Sequence, residues 1–182
     1  MLYITHRLQH SVSQLIGPNC PGILVPGHQL LGIIPATLAS DGSVAVVSRS
    51  GTLTYEAMDL LTRRGLGQKY VIGIGGDMIK GTSFIDCLEL FEQDDEVKSI
   101  VLIGEIGGTD EIEAGNYIRT SITKPVYAYV AGHSAPSGVQ MGHAGAIMGT
   151  NELESAVAKT KHLEFSGAVV ADSITDLIAR IA

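Results

Sequence analysis

From residue 43 to the C-terminus, short runs of β-branched and apolar residues alternate with stretches of helical length, and few architectures accept that pattern. The runs are Val44–Val47, Tyr70–Ile74, Ile100–Ile103, Val126–Val130 and Ala168–Val170. Between them, Thr52–Arg64 repeats apolar groups at Leu53, Ala57, Leu60 and Leu61 and stops at Gly65, where a left-handed cap is cheap. Ser83-Phe84-Ile85-Asp86 has the form of a capping box opening a helix through about Phe91. Thr109-Asp110-Glu111 offers an N-cap and two acids to a third helix dipole. Helices over Glu152–Glu164 and Ser173–Ile181 complete the alternation. The expectation is an α/β fold: a doubly wound, five-stranded parallel sheet with helices on both faces.

A chain of 182 residues has room for one such domain, and 45% hydrophobic against 17% charged residues suits a packed core. The 12 Lys+Arg against 19 Asp+Glu leave a net charge of −7, which disfavours nucleic acid or anionic membrane as a partner. Cys20 and Cys87 are too few for a disulfide framework and wrongly placed for a cysteine-based metal site, so no metal site is expected. No run approaches the roughly 20 apolar residues of a membrane span, and Met1 to Gln14 lacks a secretory pattern. An intracellular setting follows, cytoplasmic or like the mitochondrial matrix.

Charge is uneven along the chain. Residues 1–42 carry only Arg7 and Asp41 and read as a loop-rich segment, with turns at Gly17-Pro18-Asn19, Pro21-Gly22 and Pro26-Gly27. From Asp86 to Glu113 ten acids accompany one base, Lys98, which reads as solvated helix faces. From Pro125 to Asn151 there is no charged residue, yet His133 and His143 occur.

In open α/β sheets ligands gather beyond the carboxyl ends of the strands, so the strand-to-helix turns carry the candidates. Ser48-Arg49-Ser50-Gly51-Thr52 brings hydroxyls and free N–H groups to a helix start, a cradle for phosphate or carboxylate. It lacks the Gly-Lys-Ser/Thr ending of a P-loop. Gly73-Ile74-Gly75-Gly76-Asp77 misses the dinucleotide fingerprint where Met78 stands. Glu105 follows a buried run between glycines and can approach a partner closely. His143, within Met141-Gly142-His143-Ala144-Gly145-Ala146-Ile147, is flanked by small residues. An imidazole with a carboxylate on its other nitrogen is a nucleophile and base near neutral pH, and Glu105 is the candidate orienter. The Ser50–Thr52 turn and the run starting at Gly142 would then supply two helix N-termini to a phosphoryl group.

These stretches, together with Gly17-Pro18-Asn19-Cys20-Pro21-Gly22-Ile23 and Thr52-Leu53-Thr54-Tyr55-Glu56, resemble the ligase domain of the α subunit of succinyl-CoA synthetase and its relatives, ATP-citrate lyase included. The resemblance runs from about Ile16 to the C-terminus. It implies a flavodoxin-like sheet and a phosphohistidine mechanism. His143 would carry phosphoryl from a nucleoside triphosphate, Glu105 would orient it, and Ser50, Gly51, Thr52 and Gly142 would bind the phosphoryl group. Tyr55 would touch a small carboxylic acid, whose acyl phosphate the thiol of coenzyme A attacks. ATP or GTP with Mg²⁺ would sit on an ATP-grasp-type β subunit.

The family's CoA-binding domain has no counterpart in this sequence, which casts residues 1–42 as a remnant that flanks it. Ala135-Pro136-Ser137-Gly138-Val139-Gln140 and Glu154–Lys159 look closer to ATP-citrate lyase, whereas Gly51-Thr52-Leu53-Thr54-Tyr55 looks like the synthetase. The acid therefore stays open between succinate and citrate. A non-catalytic binding or regulatory paralogue is the alternative. A flavin electron carrier is disfavoured by 5% aromatics and no Trp.

Overall fold

The computed structural model describes residues 2–8, 10–136 and 138–182. In chain order the elements are α1 (Leu2–Leu8), β1 (Gly22–Val25), β2 (Gln29–Gly32), β3 (Asp41–Ser48), α2 (Gly51–Arg63), β4 (Gln68–Gly73), α3 (Phe84–Gln93), β5 (Ser99–Glu105), α4 (Asp110–Ser121), β6 (Val126–Ala131), α5 (Ala156–Phe165), β7 (Val169–Val170) and α6 (Ile174–Ala179). One sheet runs in the order β2-β1-β4-β3-β5-β6-β7. The five expected strands are there and parallel, β3 to β7. The α/β, flavodoxin-like class holds.

The strand count does not, because the segment read as loop-rich adds two antiparallel strands. The Pro26-Gly27 turn is a hairpin tip. Gly27 lies at φ 75°, and the His28 N–H donates to the Val25 carbonyl at 3.0 Å, closing a turn with Pro and Gly at its centre. At the open end Gly22 faces Gly32, and a Cβ on Gly22 would lie 2.0 Å from the Leu31 carbonyl oxygen. Leu24 and the nearby Ile34 bury into the core, which docks β1 against β4 through Ile23–Ile72 and Leu24–Val71. Leu31 and Ile33, 69% and 78% exposed, stay on the outer side.

The sheet separates two cores. α3, α4 and α5 cover one face around Phe84, Phe91, Ile100 and Leu102; α2 and α6 cover the other around Met58, Leu61, Val101 and Ile103. α2 buries Thr54, Ala57, Met58 and Leu61 and ends at Gly65, φ 71°, as its pattern predicts. The capping box of α3 is closed on both sides, with Ser83 N–H to Asp86 Oδ2 at 2.8 Å and Asp86 N–H to Ser83 Oγ at 3.2 Å. Thr109 does not cap α4 with its side chain; its hydroxyl turns instead to Glu113. The helix expected from Glu152 begins at Ala156, because Ser155 accepts from the Ala158 N–H and resets the cap after a single 3₁₀ turn. No helix among the described residues is long and apolar enough to cross a membrane.

From β3 the chain crosses to β4 on one side, then passes back over β3 to β5 on the other. The reversal opens a crevice at the carboxyl ends of β3 and β5, where Ser48 and Glu105 lie.

Candidate active site

At the end of β3 the Ser48 hydroxyl donates to the Ser50 carbonyl at 2.8 Å and accepts the Ser50 N–H at 3.0 Å. This tight turn sends the side chain of Arg49 into the interior, where it is 2% exposed, and leaves Ser50 as N-cap of α2 with its Oγ accepting the Leu53 N–H at 3.4 Å. Beyond the cap, the first N–H groups of the helix have no partner within it.

Arg49 reaches two carboxylates from different elements. Its Nη2 is 3.2 Å from Glu105 Oε1, and its Nη1 donates to Glu111 Oε1 at 3.0 Å and to the Gly107 carbonyl at 2.9 Å. Burial opposes the Arg49 charge, but Glu111 and Glu105 outweigh it and hold the guanidinium above its ordinary pKa. From α5, the buried Lys159 ammonium donates to the carbonyls of Glu105 and Gly107, both at 2.7 Å, and contacts Glu111 Oε2. Burial pushes the Lys159 pKa down against the pull of Glu111. Glu111 Oε1 also accepts the main-chain N–H of Glu105 at 3.0 Å. Two acids and two bases thus balance, as a buried ionic cluster must.

One edge of this cluster is open. His143 lies on the irregular segment between β6 and α5, held by Ala146 N–H to His143 O at 3.1 Å and Gly145 N–H to Gly76 O at 2.9 Å. Its Nδ1 is 2.8 Å from Glu105 Oε2 and 3.0 Å from Oε1. The ionised carboxylate only accepts, so Nδ1 carries the proton and the neutral ring has its lone pair on Nε2. That nitrogen has no hydrogen bond among the described residues, and the side chain is 23% exposed. The main chain passes so close that a Cβ on Gly76 would stand 2.0 Å from His143 Nδ1 and 2.6 Å from Glu105 Oε1. Gly107 after β5 has a similar cause: a Cβ there, at φ 83°, would meet the Gly145 carbonyl oxygen at 2.0 Å.

His143 opens on a cavity of about 390 Å³ shared with Ser50, Gly51, Thr52, Tyr55 and Cys20. The structure therefore brings together His143, Glu105, the α2 start and Tyr55. It does not bring a second helix N-terminus: no helix begins at Gly142, φ 83°, and the next α-helix starts at Ala156. The run is too rich in glycine, and too short of residues that can cap, to nucleate one. Ser137, in the stretch preceding the histidine, lies outside the described residues. No sequence motif assigns a role to Arg49, Glu111, Lys159 or Gly76. The helical spacing does hold a signal, since Glu111 shares the buried face of α4 with Ala114, Gly115 and Ile118, and Lys159 that of α5 with Ala156 and Leu163. Among the described residues no three His, Cys, Asp or Glu gather as a metal site.

Residues 47–169 match the model of the CoA-ligase family. Two relatives from Archaeoglobus fulgidus are the α subunits 1 and 2 of succinate–CoA ligase (ADP-forming), 44% and 51% identical over 99% and 96% of this chain. The chain spans 61% of the length of each. Among solved structures, the ATP citrate lyase of Methanosaeta concilii in complex with citryl-CoA superposes with a TM-score of 0.85 at 30% identity, over 97% of this chain and 30% of that one. A family match of this extent, running through the turns that assemble the imidazole, the carboxylate and the helix start, makes this chain a member of the CoA-ligase family.

Proposed function

We propose that the chain is the ligase domain of an acid–CoA ligase in which His143 relays a phosphoryl group. The observation that carries this reading is the pairing of Nδ1 with Glu105 at 2.8 Å, which leaves Nε2 free beside the start of α2. The Nε2 lone pair attacks the terminal phosphorus of a nucleoside triphosphate. A P–N bond forms, and the P–O bond to the diphosphate breaks. Glu105 fixes the tautomer and stabilises the positive charge that grows on the ring. The N–H groups of Gly51 and Thr52, with the Ser50 and Thr52 hydroxyls, receive the equatorial oxygens, and Gly142, the residue before His143 in sequence, is proposed to join them. A substrate carboxylate then attacks phosphorus, the P–N bond breaks and its electron pair returns to Nε2. Thiol attack on the acyl phosphate gives the thioester and releases phosphate.

Tyr55, one turn into α2, is proposed to contact the acid. Succinate is favoured, because the relatives at 44% and 51% identity are named for it. The described residues do not fit a nucleotide or its Mg²⁺, since they offer neither an acid cluster nor a P-loop. These are proposed for a β subunit of ATP-grasp type, consistent with relatives named as α subunits. Coenzyme A is proposed for a separate domain seated against residues 1–42, and the exposure of Leu31 and Ile33 supports such a cover. The free thiols of Cys20 and Cys87 support a reducing compartment, cytoplasmic or like the mitochondrial matrix. Incubation with a β subunit and γ-labelled ATP is expected to give an acid-labile, base-stable label that His143→Asn abolishes. Label that persists in that variant would sink the assignment and favour a binding role.

A further inference from the structure

Glu105 is held in an unusual way. Both its main-chain N–H and its carbonyl are bound by charged side chains from elements remote from His143: the N–H by Glu111 of α4 at 3.0 Å, the carbonyl by Lys159 of α5 at 2.7 Å. Glu111 and Lys159 touch each other, both are fully buried, and neither lines the cavity that His143 shares with α2. Arg49 joins them to the site by splitting its guanidinium between Glu111 and Glu105. A structural ion pair between two helices has no need to grip the main chain of a third element. This one fixes the residue that orients the imidazole and sets the charge that Arg49 has left for it.

We propose that Glu111 and Lys159 are positioning residues for the Glu105–His143 pair: together they clamp the Glu105 main chain and keep the charge around it balanced, so that the ring retains its proton on Nδ1 and presents Nε2. This deepens the phosphoryl-relay reading and takes its catalytic meaning from it, while its physical content lies in the resting protein. Charge balance gives the two residues opposite effects. Removing the negative charge of Glu111 leaves Arg49 and Lys159 in excess, disfavours the imidazolium and lowers the His143 pKa. Removing the positive charge of Lys159 leaves the two carboxylates in excess and raises it. Removing both restores the balance but releases the Glu105 carbonyl, because methionine offers no donor in place of Lys159, while glutamine keeps an acceptor for the Glu105 N–H. Among the described residues, the other ionisable groups that share the ring's cavity are Tyr55 of α2 and Cys20 of the N-terminal segment, while Asp77, after Gly76, accepts from the Asn19 amide. All three stay the same across the series.

The test is a titration of His143 by ¹⁵N-detected imidazole NMR on the whole chain, comparing the parent with Glu111→Gln, Lys159→Met and the double variant. The expected result is a fall of roughly half a pH unit in the first, a comparable rise in the second, and a return to within about 0.2 in the double. Shifts of the same sign, or no shift in folded single variants, overturn the proposal. Should a single variant fail to fold, the double variant decides: it is expected to titrate like the parent yet accept phosphoryl from a β subunit about tenfold or more slowly. A double variant labelled at the parental rate overturns the clamp. If the parent itself takes no label, the relay reading fails, and the titration still decides the positioning role.

Discussion

Gly76→Ala isolates the imidazole–carboxylate pair better than replacing either partner. Gly76 is not among the glycines in left-handed conformations, so its backbone can accept an alanine without strain. The new Cβ would stand 2.0 Å from His143 Nδ1 and 2.6 Å from Glu105 Oε1, where real Cβ contacts do not fall below 3.0 Å. Glu105 has no room to retreat, being held by Arg49 at 3.2 Å and by its main-chain bonds to Glu111 and Lys159. The ring has to move, by at least the difference between 3.0 and 2.0 Å, outward into the cavity. That breaks a charge-assisted hydrogen bond worth about 1.5–3 kcal/mol. At about 1.4 kcal/mol per factor of ten, the phosphorylation proposed for His143 is expected to slow by about 10- to 150-fold. Misplacing a reacting group by about 1 Å has a similar cost, about 100-fold. The melting temperature is expected to fall by about 1–10 °C, because the lost hydrogen bond is only partly offset by the restriction that alanine places on the unfolded chain. The assay is single-turnover labelling from γ-labelled ATP with a β subunit, beside a thermal melt. Labelling at the parental rate in the folded variant would refute the claim that the pair requires this glycine.

Other expectations follow from the same structure. Ser50→Ala removes the cap of α2, at a cost of about 1 kcal/mol, and a melting temperature unchanged within error would show that the 3.4 Å bond to the Leu53 N–H contributes nothing. Asp94 accepts from the Tyr70 hydroxyl at 2.7 Å and the Glu96 N–H at 2.9 Å, which hold its pKa below the ordinary 3.8. A carboxylate lowered in the folded state stabilises above its unfolded pKa, and that contribution disappears as pH falls through the folded value. Asp94→Asn should therefore flatten the acid limb of urea stability below pH 3.8, modestly because the site is exposed, and an unaltered slope contradicts this. Cys87 is 2% exposed, with its thiol pushed up to about 12 by burial, whereas Cys20 is half-buried. A disulfide reagent should modify Cys20 alone in the native protein and both thiols in urea; rapid reaction of both in the native state would speak against the packing of α3.

The parts of this molecule that sequence makes legible are those with a long or repeated signal. Val44–Val47 and Ile100–Ile103 are buried on both sides, so their uninterrupted apolar character survives intact as central parallel strands. His143 and Glu105 stand out because each lacks the polar company of a surface residue. The hairpin was hidden by its size: four-residue strands with one buried side chain, Leu24, between them leave no alternation to detect. Glu111 was hidden by its neighbours, since a carboxylate among ten acids reads as solvent-facing although the spacing to Ala114 and Ile118 turns it inward. Hydropathy counts its charge and cannot see that Arg49 and Lys159, 62 positions before and 48 after, arrive to neutralise it. Gly142 misled in the opposite direction, because small residues permit a helix start without supplying one.

The cavity beside the imidazole is lined by Asn19, Ser50, Thr52, Tyr55 and their neighbours, with no lysine or arginine among them, while the nearest cations are spent on Glu105 and Glu111. A doubly charged cargo resting there would be held by helix N–H groups and hydroxyls, with no ion pair from the lining residues to add to them. Such a berth is shallow by construction. It suits a group that must depart as readily as it arrives, and it leaves the sense of travel to be set by whatever waits on either side.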